Sequence, residues 1–293
     1  MKKVLFIYNP VAGTGMVKKN LYEIVDYYNS NGYLITLCPV KNIESFAVLK
    51  AEEDRYDKII CSGGDGTINI VISYLKKNEI KVPIAYIPSG STNDYAYSLG
   101  IANDFQQTLK QSLNGNIRKF DIGKFNEDYF LYVAGFGMFT KVSYTTSQKY
   151  KNLLGHTAYI LEGIKQLSDI KSYHMQIQCD EYHYEGNYIL GLVTNTISIG
   201  GIKTIMPQDV KLDDGLFEVI LVEKPKNPIE LQEMIFALLN EKIFDNKNIV
   251  FCKTKKISIQ SQDEVEWTLD GEYGGKQKEV MITNLQREIE III

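Results

Sequence analysis

Residues 59–75 read IICSGGDGTINIVISYL, and this stretch decides the fold. A short apolar run, the mark of a strand buried on both faces, leads into Gly63-Gly64-Asp65-Gly66. From Gly66 to Lys77 the apolar residues return at helical spacing. A strand that turns through glycine into a helix is half of a βαβ unit, and the chain around it repeats the theme. Val4–Tyr8, Tyr33–Leu37, Lys58–Cys61 and Pro83–Pro88 read as strands, and Val17–Asn31, Ile43–Asp54, Gly66–Lys77 and Asp104–Leu113 as helices. Such alternation predicts an α/β domain over 1–122, doubly wound around a largely parallel sheet, with its ligand site at the carboxyl ends of the strands.

Beyond Lys119 the texture changes. Tyr129–Ala134, Met175–Cys179, Asn187–Thr194, Leu216–Val222, Lys256–Gln260, Val265–Leu269 and Glu288–Ile293 read as short strands. Two helices interrupt them, near Lys151–Leu167 and Pro228–Asn240. This pattern predicts a second, mainly β domain of sandwich type over 123–293.

Composition narrows the function classes. With 32 Lys and Arg against 36 Asp and Glu, the net charge is −4, which argues against a nucleic-acid binder driven by counterion release. No stretch approaches the roughly 18 uninterrupted apolar residues of a membrane span. The basic-apolar start MKKVLFIYNP runs into Pro10 and a glycine loop instead of a signal-peptide core, so it reads as a first strand. Cys38, Cys61, Cys179 and Cys252 show no metal or disulfide spacing and read as core fillers in a cytoplasmic protein. The three histidines form no ligand or triad pattern.

Three glycine-bearing loops follow strands of the first domain. They are Asn9-Pro10-Val11-Ala12-Gly13-Thr14-Gly15, Gly63-Gly64-Asp65-Gly66-Thr67 and Pro88-Ser89-Gly90-Ser91-Thr92-Asn93-Asp94. Main chain without Cβ atoms can approach phosphate oxygens closely, and a helix N-terminus adds positive potential. Neither GxxxxGK[ST] nor GxGxxG is present. Asp65 and Asp94 would repel a polyphosphate unless a cation such as Mg2+ lies between. The structural alternatives are an N-cap for Asp65 and an Asx-turn for Asp94.

These loops, together with the late Asp270-Gly271-Glu272-Tyr273-Gly274-Gly275, resemble the diacylglycerol kinase catalytic-domain family. The likeness runs from Asn9 to about Asn284 and is strongest to soluble bacterial lipid kinases, with NAD kinases as distant relatives. The resemblance implies an NAD-kinase-like first domain and a second domain that receives the lipid and contributes the catalytic base. It implies transfer of the γ-phosphoryl group of Mg-ATP to the hydroxyl of diacylglycerol or a related lipid alcohol. Asn9, Pro10, Val11, Ala12 and Gly13 match the first nucleotide loop, Gly64, Asp65, Gly66, Thr67, Ile68 and Asn69 the second, and Ser91 the third. Asp65 and Asp94 match the active-site acids, and Glu272 the general base. Lys211-Leu212-Asp213-Asp214-Gly215-Leu216 matches a structural Mg2+ site using the Asp214 carboxylate and the Lys211 and Leu216 carbonyls. Without the resemblance, Asp214-Gly215 and Asp270-Gly271 read as hairpin turns.

Ile70, Tyr97 and Glu162 stand where relatives carry a glutamate, an arginine and a lysine, with Lys165 one turn beyond Glu162. The alternatives are therefore an NAD kinase, or a member that binds nucleotide or lipid with lost or weakened turnover. The stretch 139–171, with five lysines interleaved with Tyr144, Tyr150, Leu153, Leu154 and Tyr159, suits transient adsorption to an anionic membrane surface. An ordinary solvated helix is the competing reading of it. By analogy with relatives, an exposed strand edge of the second domain could pair two copies into a homodimer, while the sequence itself leaves the assembly state open.

Overall fold

A computed structural model describes residues 2–13, 15–40, 56–102, 104–138, 170–201, 209–239 and 245–293. The helices expected at 43–54 and 151–167, and Glu162 and Lys165, lie outside the described residues. The chain divides into two compact units. The first comprises Met1–Ile122 with Gln286–Ile293, and the second Gly123–Leu285. The last eight residues thus return to the first unit, where the sequence reading had placed all of 123–293 in the second.

In the first unit, β1 (Lys2–Tyr8), β2 (Tyr33–Pro39), β3 (Lys58–Gly63) and β4 (Ile84–Pro88) are joined by α1 (Met16–Ser30), α2 (Asp65–Lys77), α3 (Asp94–Ser98) and α4 (Phe105–Asn114). The ladder β4-β3-β1-β2 is parallel throughout, with Ile59 opposite Ile84, Val4 opposite Lys58 and Lys2 opposite Tyr33. Residues Ile291 and Ile292 add a further parallel partner to β4.

Val4, Leu5, Phe6 and Ile7 are fully buried, as a central parallel strand requires. Val4, Phe6, Ile60 and Ile87 face Val17, Ile24 and Tyr28 of α1 and Leu109 of α4 in one apolar cluster. Burial of each such side chain stabilises by about 1.5–3 kcal/mol. The Asp104 carboxylate caps α4 by accepting the Gln107 amide at 2.8 Å.

The second unit is mainly β. Its strands are the end of β5 (Ile117–Phe125), β6 (Asp128–Phe130), β7 (Val133–Gly137), β8 (Tyr173–Cys179), β9 (Tyr182–Thr194), β10 (Phe217–Glu223), β11 (Ile249–Thr254), β12 (Lys256–Leu269) and most of β13 (Glu272–Ile292). One helix among its described residues, α5 (Pro228–Leu239), accompanies them. The order is β11-β10-β9-β7-β12-β13, with β8 bonded to both β12 and β9. These pairs are antiparallel.

Side chains alternate between two cores. Phe217, Val219 and Leu221 enter a cluster centred on Trp267, Phe125 and Phe136. Ile220 and Val222 enter another, covered by Leu231, Met234 and Ile235 of α5. A strand buried on both faces reads as a continuous apolar run, as β10 does.

Candidate active site

The carboxyl ends of β1, β3 and β4 are adjacent, so the three glycine loops that follow them share one rim. Their main chains are in close contact there. A Cβ on Gly13, whose φ is +53°, would lie 2.1 Å from the Ser89 carbonyl oxygen. A Cβ on Gly90 would lie 2.5 Å from the Gly64 Cα. Glycine at these positions is therefore demanded by packing between loops. Hydrogen bonds fix the same arrangement: the Asn9 amide donates to the Ser62 carbonyl at 2.9 Å and the Ser89 amide to the Gly63 carbonyl at 2.8 Å. Within the first loop, the Asn9 side chain accepts the Val11 amide at 3.0 Å. In the third, the Asn93 side chain accepts the Gly90 amide and donates to the Gly90 carbonyl.

Two helices start from this rim, α1 after Gly15 and α2 after Gly64, and neither N-terminus carries a side-chain cap. Asp65 is the first residue of α2, and its carboxylate reaches the next loop. It accepts the Asp94 amide at 3.0 Å and the Tyr95 amide at 3.1 Å. The helix α3 has no side-chain cap from its own N-cap residue, Asn93, which has φ +56°. Asp65 supplies that cap from a distance, a capping role for a helix other than its own. Burial raises the Asp65 pKa, the Tyr95 amide opposes this, and the nearby Asp94 carboxylate raises it further. Asp94 itself is buried.

The other candidate residues of the nucleotide loops divide by exposure. Val11, Gly13 and Ser91 are exposed, and Asn9, Pro10, Ala12, Gly64 and Gly66 are half-buried. Thr67, Ile68 and Asn69 are buried. The Ile68 side chain lies in the core, which leaves only its main chain for a ligand. Asn69 accepts from the Ser73 hydroxyl at 2.9 Å. Ile70 and Tyr97, the departures from the family pattern, are both exposed.

Glu272 belongs to the second unit. It is the first residue of β13 and pairs with Leu269 across the two-residue turn Asp270-Gly271. Both turn residues have positive φ, +51° and +85°, as a type I′ hairpin requires. The Glu272 side chain is exposed. Four residues on, the pairing steps from Thr268–Tyr273 to Glu266–Lys276, so Gly274 and Gly275 form a bulge opposite Trp267. The DGEYGG element is thus a hairpin followed by a bulge. The structure also reveals a residue that pattern reading passed over. The buried Asp270 carboxylate accepts three amides, from Leu131 at 2.7 Å and from Tyr132 and Val133 at 2.9 Å. Its only sequence signal was a turn-forming Asp-Gly.

Asp214 accepts the Leu216 amide at 3.0 Å, and Gly215 has φ +83°. The Leu216 carbonyl accepts from the Asn284 side chain at 3.1 Å and keeps a second lone pair. Carboxylate and carbonyl oxygens are the hard donors that Mg2+ takes, so the chemistry of Asp214, Lys211 and Leu216 fits that ion. Among the described residues, no group of three or more His, Cys, Asp or Glu side chains is placed to hold a metal. Nearby, Glu218 is 1% exposed; its Oε1 lies 3.3 Å from the Lys253 ammonium and its Oε2 has no hydrogen-bond partner. Burial outweighs Lys253 and pushes its pKa up to about 7.

Residues 3–125 match the model of the diacylglycerol kinase catalytic domain, and 133–287 that of the YegS C-terminal NAD kinase beta sandwich-like domain. A diacylglycerol kinase of Bacillus subtilis (strain 168) is 33% identical over 100% of this chain and 97% of its own. One from Staphylococcus aureus (strain Newman) is 33% identical over 99% of this chain and 92% of its own. A solved diacylglycerol kinase structure from Bacillus anthracis str. Sterne superposes with a TM-score of 0.76 at 27% identity, covering 99% of this chain and 96% of that one. Matched by these two family models and by relatives of this identity and coverage, the chain belongs to the diacylglycerol kinase family and is a lipid kinase.

Proposed function

We propose that this lipid kinase transfers the γ-phosphoryl group of Mg-ATP to the hydroxyl of diacylglycerol or a related lipid alcohol, giving phosphatidic acid or its equivalent. The observation that carries the reading is the fusion of the three loops, with Gly13, Gly64 and Gly90 in main-chain contact and the Asp65 carboxylate tying the second loop to the third. A doubly wound, NAD-kinase-like frame that leaves two uncapped helix N-termini at one rim is suited to polyphosphate oxygens. Asn9 to Gly13, Gly64 to Asn69 and Ser91 would cradle ATP. Bound Mg2+ supplies charge neutralisation on the transferred phosphoryl group. Asp65 and Asp94 would hold the ion or its water shell; the Asp65 carboxylate accepts backbone amides with both oxygens and has capacity for about four acceptor contacts in all. Lys211, Asp214 and Leu216 would hold a second, structural Mg2+.

In the reaction the acceptor oxygen forms a bond to the γ-phosphorus as the bond to the β,γ-bridging oxygen breaks. The hydroxyl proton passes to the Glu272 carboxylate late in the step, when bond formation has made it acidic. The protein would meet its lipid from the cytoplasmic face, adsorbing transiently. Among the described residues no helix is long and apolar enough to cross a membrane. By analogy with relatives, two copies could pair as a homodimer.

Label transfer from γ-labelled ATP to a panel of diacylglycerol, monoacylglycerol, ceramide, undecaprenol and NAD tests the acceptor. Diacylglycerol or another lipid should be labelled, and labelling of NAD alone would reject the reading. Glu272→Gln should lower turnover by about 10²–10⁴-fold with ATP binding intact. Exposed Ile70 and Tyr97 favour a second reading, a member with weakened catalysis, for which the panel would show binding without label.

A further inference from the structure

We propose that Asp270 is the positioning residue for Glu272, holding the hairpin that carries the base by capturing the amides of a strand interruption elsewhere in its unit. The inference rests on the assignment of Glu272 made above. Leu131 and Tyr132 interrupt the run between β6 and β7. A break inside a buried sheet leaves amides that must find acceptors. The Asp270 carboxylate accepts those of Leu131, Tyr132 and Val133. The contact is reciprocal, since the Asp270 amide donates to the Val133 carbonyl at 2.8 Å and the Tyr132 hydroxyl to the Asp270 carbonyl at 3.3 Å.

One residue therefore makes five hydrogen bonds to a three-residue segment distant in sequence, and it makes them from a left-handed conformation. A free hairpin tip does not need this, because Asn-Gly turns as well as Asp-Gly. The choice of an acceptor-only side chain is explained by the three donors it meets. An asparagine has one acceptor oxygen, and its NH2 group would confront an amide N–H. Glu272 follows two residues on, its backbone fixed by the Leu269 pair on one side and by the Gly274-Gly275 bulge on the other. An exposed carboxylate on a tip clamped in this way has a fixed origin, which an in-line transfer needs, since a displacement of about 1 Å costs about 10²-fold in rate.

The test is a double-mutant cycle in the full-length protein, with label transfer as readout. Asp270→Asn should lower kcat by about 10–100-fold, leave KM for ATP within about twofold and preserve the far-UV circular dichroism. Placed on Glu272→Gln it should add little, because its effect passes through the base. An equal further loss on that background would overturn the proposal. So would loss confined to KM for ATP. If Glu272→Gln alone retains full turnover, the base assignment fails, a result distinguishable from failure of the clamp. Should Asp270→Asn not fold, Tyr132→Phe removes the hydroxyl bond to the Asp270 carbonyl and leaves the Asp270 carboxylate and its three amide bonds in place. It should lower kcat by about 2–5-fold at constant KM for ATP, as expected for one neutral hydrogen bond, and unchanged kcat would overturn the proposal.

Discussion

The glycine rim of the first unit and the hairpin tip of the second are each pinned by an aspartate that accepts main-chain amides, but the two do it over different distances. Asp65 reaches from the start of α2 to the Asp94 and Tyr95 amides, within one βαβ succession. Asp270 reaches amides at 131–133, more than a hundred residues earlier. Asp65 remains half-buried beside a second carboxylate, whereas Asp270 is buried. The difference separates a carboxylate that can both brace a loop and face a cation from one committed to bracing. Removing Asp65 should therefore damage stability and chemistry together. Asp65→Ala leaves two amides unsatisfied, at about 1–3 kcal/mol each, and should abolish label transfer. Asp65→Asn, which can still accept one amide, should recover part of the stability and little of the turnover. Chemical denaturation alongside the transfer assay checks both, and full turnover in a destabilised Asp65→Ala would reduce Asp65 to a cap.

This contrast also explains what could be read from sequence. The parallel core was legible because β1, β3 and β4 are largely buried and carry apolar runs that lead into glycine-bearing loops. Asp65 was singled out because a carboxylate amid glycines is chemically conspicuous, but its cap on α3 was not foreseen: its donors belong to another loop. The helix α3 itself was missed, being only five residues long. In the second unit, β11 escaped notice, and Val265–Leu269 and Lys256–Gln260 proved to be one bulged strand, β12. Asp270 was hidden for a similar reason, since nothing local to an Asp-Gly turn announces partners at 131–133. Long-range satisfaction of amides leaves no periodic trace.

Glu218 sharpens the comparison, being a buried carboxylate whose main partner is a lysine. Lys253 faces it while also pairing with Asp209, and Asp214 adds repulsion. Its pKa near 7 lies above the ordinary value of 4.5, so the protonated form is favoured in the folded state. The associated stability is fully present below about pH 4.5 and is lost as pH rises through about 7. The rise corresponds to about 3 kcal/mol. In chelator, Glu218→Gln should flatten the stability profile across that window and exceed the parent at pH 8 by up to that amount. A variant whose profile parallels the parent's would show that a lysine holds a buried carboxylate ionised as well as amides do.

Gly90→Ala probes the rim without touching a charge. Its Cβ would fall 2.5 Å from the Gly64 Cα and 2.8 Å from the Asn93 Oδ1, so two loops must part. Overpacking of this kind costs about 1–3 kcal/mol. Weaker ATP binding should accompany it, measurable by titration calorimetry. Unaltered stability and affinity would mean that the loops are not locked together.

The smallest expected effect falls on the hairpin side. Gly275 has φ +90°, yet an added Cβ would meet only the Gln277 Nε2 at 3.6 Å, an ordinary contact. Conformation alone opposes substitution there, whereas at Gly90 the obstacle is space. Gly275→Ala should therefore cost about 1–2 kcal/mol, the penalty of a left-handed backbone. Gly275→Asn should cost less despite its greater bulk, because asparagine tolerates positive φ. At Gly90 the order should reverse, with asparagine worse than alanine. Thermal denaturation of the four variants reads both orders, and the same order at the two sites would erase the distinction between a glycine required for packing and one required for backbone geometry.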